Sequence, residues 1–198
     1  MKMKKVLAML LAVLMIVTAT VAGTVAWLQH ETEEVKNVFN PTDIGATLTE
    51  NDNTYTMIPG HTIDKDPKAG VTANSVDAFL FVEVTESDNF DDFMTYKIAD
   101  GWKLLDGTEA ASINTDTNDS YVIYREVASN ATTREFAILK DDQVAVKDSV
   151  TKAMMNTLTA DTKPTLTFKA YTVQQDKNNS TVFTAAEAWA IAKGQATP

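Results

Sequence analysis

The chain has 198 residues with 27 acidic and 17 basic side chains, so its net charge at pH 7 is −10. This composition suits one globular domain, or one domain with an appendage, and the excess of acid argues against nucleic-acid binding, which needs clustered cations. Zero cysteines exclude disulfides and thiolate metal sites, and two histidines leave little material for metal or acid–base chemistry. An enzyme is therefore the less favoured interpretation.

The first 26 residues have the three parts of an export signal. Three lysines stand among the first five residues, and no charged side chain occurs from Val6 to Gln29. The small residues of Thr24-Val25-Ala26 fit a signal peptidase, so we predict that residues 1–26 are a hydrophobic signal helix, cleaved between Ala26 and Trp27. The alternative is an uncleaved membrane anchor, since about 20 apolar residues span a bilayer. Threonines and a glycine in the second half of the run disfavour the anchor.

Cleavage after Ala26 changes the net charge of the chain, and the export signal indicates where the protein is found. It removes three lysines and no acid, so the net charge goes from −10 to −13. An acidic, cysteine-free exported chain is typical of a single-membrane (Gram-positive) bacterium. We expect a secreted protein of the extracellular matrix or cell surface, which contacts the membrane only before cleavage. Screening by salt relaxes the mutual repulsion of such chains.

Past the leader, apolar and polar side chains alternate with the two-residue period of β-strands. This alternation runs over residues 44–49 and 166–171, and 28 threonines favour strands as well. Residues 78–84 are apolar on both faces, which is typical of a central strand covered on both sides. The stretch Lys68–Val76 departs from the alternation, so its register stays open. The further predicted strands are Tyr55–Ile58, Trp102–Leu105, Tyr121–Val127, Glu135–Leu139 and Val144–Val146.

Seven or more short strands separated by Asn, Asp and Gly clusters predict an all-β fold, a jelly-roll-like antiparallel β-sandwich over residues 41–198. One to three short peripheral helices are expected to pack on it. Thr184-Ala185-Ala186-Glu187 fits a capping box before a short apolar stripe. Apolar residues fall four apart in Ser149–Leu158, and Asp88–Tyr96 is a third helical candidate.

The aromatic residues are predicted to lie in the core. Phe79, Phe81, Trp102, Phe168 and Tyr171 are expected to pack between the two sheets. The alternative is an exposed aromatic row that binds carbohydrate, which would make the protein a binding module or adhesin. Threonine and aspartate outnumber aromatics in the expected loops, which favours the core.

A metallopeptidase is the main catalytic alternative. A zinc protease of the common type needs two histidines one helical turn apart with a glutamate. His30–Glu34 supplies His-Glu-x-x-Glu without the second histidine, and His61 lies in a turn predicted after Pro59-Gly60. No nucleophile elbow or glycine-rich phosphate loop occurs. We therefore predict no catalytic residue, no metal site and no cofactor.

Acidic clusters offer oxygen ligands, but none has the spacing of a calcium loop. Asp141 and Asp142 are adjacent, so they are expected to point to opposite faces of a strand. We interpret all these acids as solvated loop residues. The other clusters are Asp88, Asp91 and Asp92, and Asp116, Asn118 and Asp119.

Nine segments, spread over most of the chain, occur in a distinctive order. The first is the end of the leader, Gly23-Thr24-Val25-Ala26, and the later ones are Val35–Phe39, Ile44–Glu50, Ile58–Gly60, Lys65–Pro67, Ala78–Val84, Gly101-Trp102, Tyr121–Tyr124 and Ala170–Gln174. In this order the segments resemble the TasA/camelysin family. The resemblance implies a jelly-roll subunit of extracellular, biofilm-associated fibres, exported through a SipW-like signal peptidase, with an accessory matrix protein as a further partner. Camelysin-like relatives have also been classed as metallopeptidases.

The resemblance also implies a mode of assembly by self-association. In such fibres the freed N-terminal segment of one subunit completes the sheet of its neighbour. Here residues 27–40 form that possible donor segment, and an exposed strand edge is a template for it. The alternative is that Val35–Phe39 pairs within its own domain. The apolar donor residues are Trp27, Leu28, Val35, Val38 and Phe39.

Overall fold

Short antiparallel strands account for most of the regular structure, as the alternating sequence predicts. The predicted signal peptide, residues 1–26, and the predicted donor segment, residues 27–40, lie outside the described residues. No helix in the described ranges is long and apolar enough to cross a membrane. The computed structural model describes residues 44–51, 55–73, 75–113, 115, 120–178 and 180–195, all within the unit formed by residues 41–198.

The described chain is all-β, with a few short helices. Its helices are α1 (Phe90–Phe93), α2 (Lys152–Asn156) and α3 (Ala185–Ala192), and Ala110–Ser112 form a 3-10 turn. Its strands are β1 (Ala46–Thr49), β2 (Thr62–Asp64), β3 (Lys68–Val71), β4 (Ala78–Glu86), β5 (Met94–Ile98), β6 (Lys103–Leu104), β7 (Ser120–Val127), β8 (Glu135–Ala137), β9 (Leu139–Val146), β10 (Leu166–Gln174), β11 (Asp176–Asn178) and β12 (Thr181–Val182).

Strand β4 is an inner strand of the largest sheet. The order of this sheet is β10-β4-β7-β6, and every neighbouring pair is antiparallel. Seven of the nine residues of β4 are buried, because both of its faces are covered. The prediction of a central strand at residues 78–84 is confirmed.

Two three-stranded sheets, β1-β3-β8 and β2-β9-β5, supply the strands that face this sheet across the core. Strand β2 leads into β3 through Pro67, which has no N–H to donate to a ladder, so the pairing is interrupted there. Backbone bonds still hold the chain on both sides of the interruption. The Ile138 N–H donates to the Pro67 carbonyl (3.0 Å), and the Lys65 N–H donates to the Asp142 carbonyl (2.7 Å).

The main core contains alternate side chains of β4 together with side chains from β3, β5, β7 and β9. Leu80, Val82 and Val84 point into it from β4. Trp102 is fully buried there, and its indole N–H donates to the Ala137 carbonyl at 2.8 Å. Partly buried Phe168 packs against this core. The predicted core positions of Trp102 and Phe168 are therefore confirmed.

A second, smaller core lies on the other face of β4, under α3. Phe79 and Phe81 pack there with Ala188, and the Trp189 ring contacts the rings of Phe81 (5.4 Å between centroids) and Tyr171 (5.2 Å). The prediction that Phe79, Phe81 and Tyr171 pack between two sheets is wrong. Adjacent residues of a strand point to opposite faces, and α3 covers the face that these residues occupy.

Several predicted element boundaries also differ from the structure. Residues 55–58 form no strand, and β2 begins at Thr62 beyond the Pro59-Gly60 turn. Helix α1 covers only part of the predicted Asp88–Tyr96 helix, because Met94 begins β5. The single strand predicted over Glu135–Leu139 is divided in the structure. Strand β8 ends at Ala137, and β9 begins at Leu139.

Candidate assembly site

Two end strands of different sheets, β1 and β10, lie close together. Their Cα atoms approach within 8 Å, yet no backbone ladder joins them. Strand β1 pairs only with β3 in the described part of the chain, and all four of its residues are exposed. Leu48 has 42% of its surface in solvent. The alternation at residues 44–49 therefore gives a strand as predicted, and Ile44 packs against the main core, but the apolar side chains of Ala46 and Leu48 within β1 stay exposed.

Strand β10 has a long edge. It pairs with β4 along all nine of its residues, and no described strand pairs with its other side. Nine extended residues span about 30 Å. Backbone groups along an unpaired edge can accept another strand, and soluble proteins usually protect so long an edge with charges, prolines or bulges. Lys169 is the one charged residue within β10, and Pro164 precedes the strand.

An apolar groove of about 660 Å³ opens beside the first residues of β10. We call it the assembly groove. Residues from several distant parts of the chain meet in it, and two lysines stand among them. Its lining residues are Tyr55, Met57, Ile63, Lys65, Phe90, Met94, Val144, Met155, Leu158, Lys163, Pro164, Thr165, Leu166 and Thr167.

Local hydrogen bonds hold two walls of the assembly groove in place. The Thr151 hydroxyl caps α2 by accepting from the Met154 N–H (3.2 Å), and α2 carries Met155 into the groove. Next to β10, the Thr165 N–H donates to the Ser87 hydroxyl oxygen (2.9 Å), and the Ser87 N–H donates to the Thr165 carbonyl (3.0 Å). These bonds fix the start of β10 against the end of β4.

The two lysines that line the assembly groove differ in their surroundings. Lys65 forms an ion pair with Glu50, and its ammonium lies 5.2 Å from the Tyr55 ring centroid and 5.6 Å from that of Phe168. The positive charge of Lys65 is therefore balanced within the domain. Lys163 is exposed to solvent. A ligand in the groove would therefore meet apolar walls and the positive charge of Lys163.

A buried polar cluster lies behind Phe90, whose ring contacts that of Tyr96 (5.7 Å between centroids). The Tyr96 hydroxyl donates to the Glu86 carboxylate and lies 2.7 Å from the Tyr121 hydroxyl. Burial raises the pKa of both tyrosines well above the usual 10.0, so both phenols stay protonated. Their hydrogen bonds satisfy polar groups within the core, next to the Phe90 ring that lines the groove.

None of the predicted cleavage or donor residues can be placed in the structure. Ala26, Trp27, Leu28, Val35, Val38 and Phe39 lie outside the described residues, as does His30. His61 is exposed beside the predicted turn, in which Gly60 has a φ of +74°. Across the described ranges, no three His, Cys, Asp or Glu residues are grouped so that they could hold a metal ion.

The expected arrangement of Asp141 and Asp142 is wrong. Both border one surface depression together with Asp64 and Asp66, instead of pointing to opposite faces. Both residues have positive φ (56° and 53°), which interrupts the alternation of side chains along β9. Asp91 and Asp92 lie in the first turn of α1, and Asp116, Asn118 and Asp119 fall outside the described residues.

Comparisons with known proteins assign no family to this site. No protein-family model matches the chain, and no curated protein matches it significantly. The site is therefore interpreted from its own geometry and chemistry.

Proposed function

We propose that this chain is a secreted structural subunit of extracellular biofilm-matrix fibres, assembling non-covalently by strand donation between subunits. In this proposal the described strands form a jelly-roll sandwich, and residues 27–40 of one subunit are the donor for the next. The observation that carries the proposal is the closeness of two edge strands, β1 and β10, beside an apolar groove.

The geometry supports strand donation in two ways. The free side of β10 can supply a ladder of backbone bonds, which gives affinity without regard to sequence. The assembly groove can take apolar side chains, and its 660 Å³ lies within the usual range of ligand sites, about 300–1,000 Å³. Burying a Val or Phe side chain contributes about 1.5–3 kcal/mol. Val35, Val38 and Phe39 could together anchor a non-covalent contact.

Charge also supports this pairing. The donor segment has three acids, Glu31, Glu33 and Glu34, and one lysine. Of the two lysines that line the assembly groove, Lys65 is paired with Glu50, whereas Lys163 is exposed. A segment that places its valines and Phe39 in the groove would bring its acids toward Lys163 in one orientation, which favours that orientation over its reverse.

In this proposal, removal of the leader allows assembly to begin. A SipW-like signal peptidase cuts between Ala26 and Trp27, and until then the leader holds the donor segment at the membrane. Each freed subunit has one donor segment and one acceptor groove. A head-to-tail contact between them need not close on itself, so it propagates into a fibre. An accessory matrix protein is a further partner in this proposal.

Deletion of Trp27–Glu34 from the exported chain tests the proposal. We expect a folded monomer with an unchanged circular dichroism spectrum that forms no polymer by sedimentation or electron microscopy. As a matched control, a synthetic peptide of residues 27–40 added to the intact chain should cap growing fibres and shorten them. Normal fibres from the deletion variant would refute strand donation by this segment.

A further inference from the structure

The methionines of the domain gather at the assembly groove. The chain has eight methionines, and four of them belong to the predicted signal peptide. The other four are Met57, Met94, Met154 and Met155. Three of these line the assembly groove, and Met154 lines a neighbouring depression that shares Leu158 with it. Methionine is flexible and polarizable, and it is common on surfaces that adapt to different apolar partners.

We propose that these methionines are a redox-modification site, at which peroxide oxidises the groove-lining thioethers to sulfoxides and so closes the groove to apolar side chains. In this reaction the thioether sulfur attacks one oxygen of hydrogen peroxide. An S–O bond forms, the O–O bond breaks, and the second oxygen leaves as water. Sulfur loses two electrons and peroxide gains them, so the side chain becomes a polar sulfoxide.

The composition of the chain makes the methionines the expected targets of peroxide. With no cysteine present, the thioethers are the sulfur groups most open to peroxide. Met57, Met154 and Met155 are half-buried, whereas Met94 is only 8% exposed. Peroxide should therefore reach the first three before Met94.

The structural effect follows from where these side chains lie. Met57 and Met155 share the groove with the apolar side chains of Ile63, Val144 and Leu158. A sulfoxide oxygen in this wall would bind water or a donor elsewhere in the lining, so it would lower the affinity of the groove for apolar groups. The effect on fibre assembly rests on the proposed function, whereas the modification itself does not.

The test uses the exported chain, treated with increasing hydrogen peroxide and digested for peptide mass spectrometry. Sulfoxide should appear at Met57, Met154 and Met155 at lower doses than at Met94. Two probes report on the groove, a fluorescent peptide of residues 27–40 and the apolar dye anilinonaphthalene sulfonate. Oxidation should weaken binding of the peptide at least tenfold and reduce dye fluorescence. Methionine sulfoxide reductases should restore both signals.

The matched control is the double variant Met57→Leu/Met155→Leu, which keeps volume and removes both sulfurs from the wall. Its own probe binding before treatment is the reference, and peroxide should change that binding less than twofold. Earlier oxidation of Met94, or unchanged probe binding after oxidation of Met57 and Met155, would overturn the inference. Enzymatic reduction provides the same comparison without any substitution. If the untreated chain binds the dye but not the peptide, and oxidation still reduces the dye signal, the modification site stands and strand donation fails.

Discussion

Lys163 is one of two lysines at the rim of the assembly groove, in a chain whose net charge is −10. Unlike Lys65, which pairs with Glu50, it is exposed just before β10. We predict that Lys163→Glu weakens binding of the 27–40 peptide by about three- to tenfold at low salt, since a rim charge acts mainly on encounter. Fluorescence anisotropy at two salt concentrations measures this effect, which should shrink as salt rises.

The control for this prediction is Lys140→Glu. Lys140 is an exposed residue of β9 that does not line the groove, so the two variants have the same net charge. An equal loss of affinity in both variants would mean that only the total charge matters.

Glu187 and Thr184 form the capping box that the sequence predicts at the start of α3. The Thr184 N–H donates to the Glu187 carboxylate (2.9 Å), the Glu187 N–H donates to the Thr184 hydroxyl oxygen (3.2 Å), and Lys177 pairs with the same carboxylate (3.2 Å). The Thr184 backbone N–H, followed by Lys177 and the Thr184 hydroxyl, holds the pKa of Glu187 below its usual 4.5. The carboxylate is therefore stabilised in the folded state.

This pKa shift predicts how stability depends on pH. Because the folded pKa is the lower one, the contribution of the carboxylate is complete above pH 4.5 and is lost as the pH falls through the folded value. Glu187→Gln keeps an acceptor for the cap without the charge. Urea unfolding should show wild type more stable than the variant at about pH 7, with the difference fading toward about pH 3. A difference that stays constant with pH would contradict the assignment.

At the scale of elements, β3 depends on Gly70 for its place between β1 and β8. A Cβ at this position would lie 2.7 Å from both the Arg134 carbonyl oxygen and the Thr47 hydroxyl oxygen. We predict that Gly70→Ala lowers the free energy of unfolding by about 1–3 kcal/mol, because backbone must move to make room. Urea denaturation measures this, with the exposed substitution Ala46→Ser as a control expected within about 0.5 kcal/mol of wild type. Equal free energies of unfolding for wild type, Gly70→Ala and Ala46→Ser would show that β1 can move away from the added methyl group without loss of stability.

Elements whose formation depends on local sequence could be predicted. Strand β7 forms within the predicted range Tyr121–Val127, the start of β10 follows the alternation, and α3 follows its capping box. Residues 55–58 were predicted as a strand as well, yet they form none. The neighbouring β2 takes the place beside β9 instead, because pairing depends on distant partners as well as on local pattern.

The assembly groove could not be predicted in the same way. Met57, Phe90, Val144 and Leu158 meet there only because four distant segments converge. Each of them resembles an ordinary core residue in the sequence. The sequence did indicate one part of the site, the strand at residues 166–171 that became the free edge of β10. No feature of residues 166–171 themselves indicates that this strand would lie at the end of its sheet.

At the scale of the whole molecule, net charge should govern assembly. Subunits without residues 1–26 carry −13 and repel one another at low ionic strength. Raising salt from about 0.01 to 0.15 M shortens the screening length from about 30 to 8 Å. We predict more polymer at the higher salt, measured by sedimentation of exported protein at fixed concentration. A steady loss of polymer as salt rises would instead mean that attraction across the contact outweighs the general repulsion.

The position of β4 also determines when this domain can fold. Its long partner β10 and its outer cover α3 both follow it in the chain, within residues 166–192. A nascent chain therefore leaves the ribosome with Phe79 and Phe81 uncovered and one side of β4 without its ladder. The sheet and the second core can close only after residues 166–192 have been synthesised. Until then, a polypeptide with this order of strands remains extended enough to pass through a narrow pore.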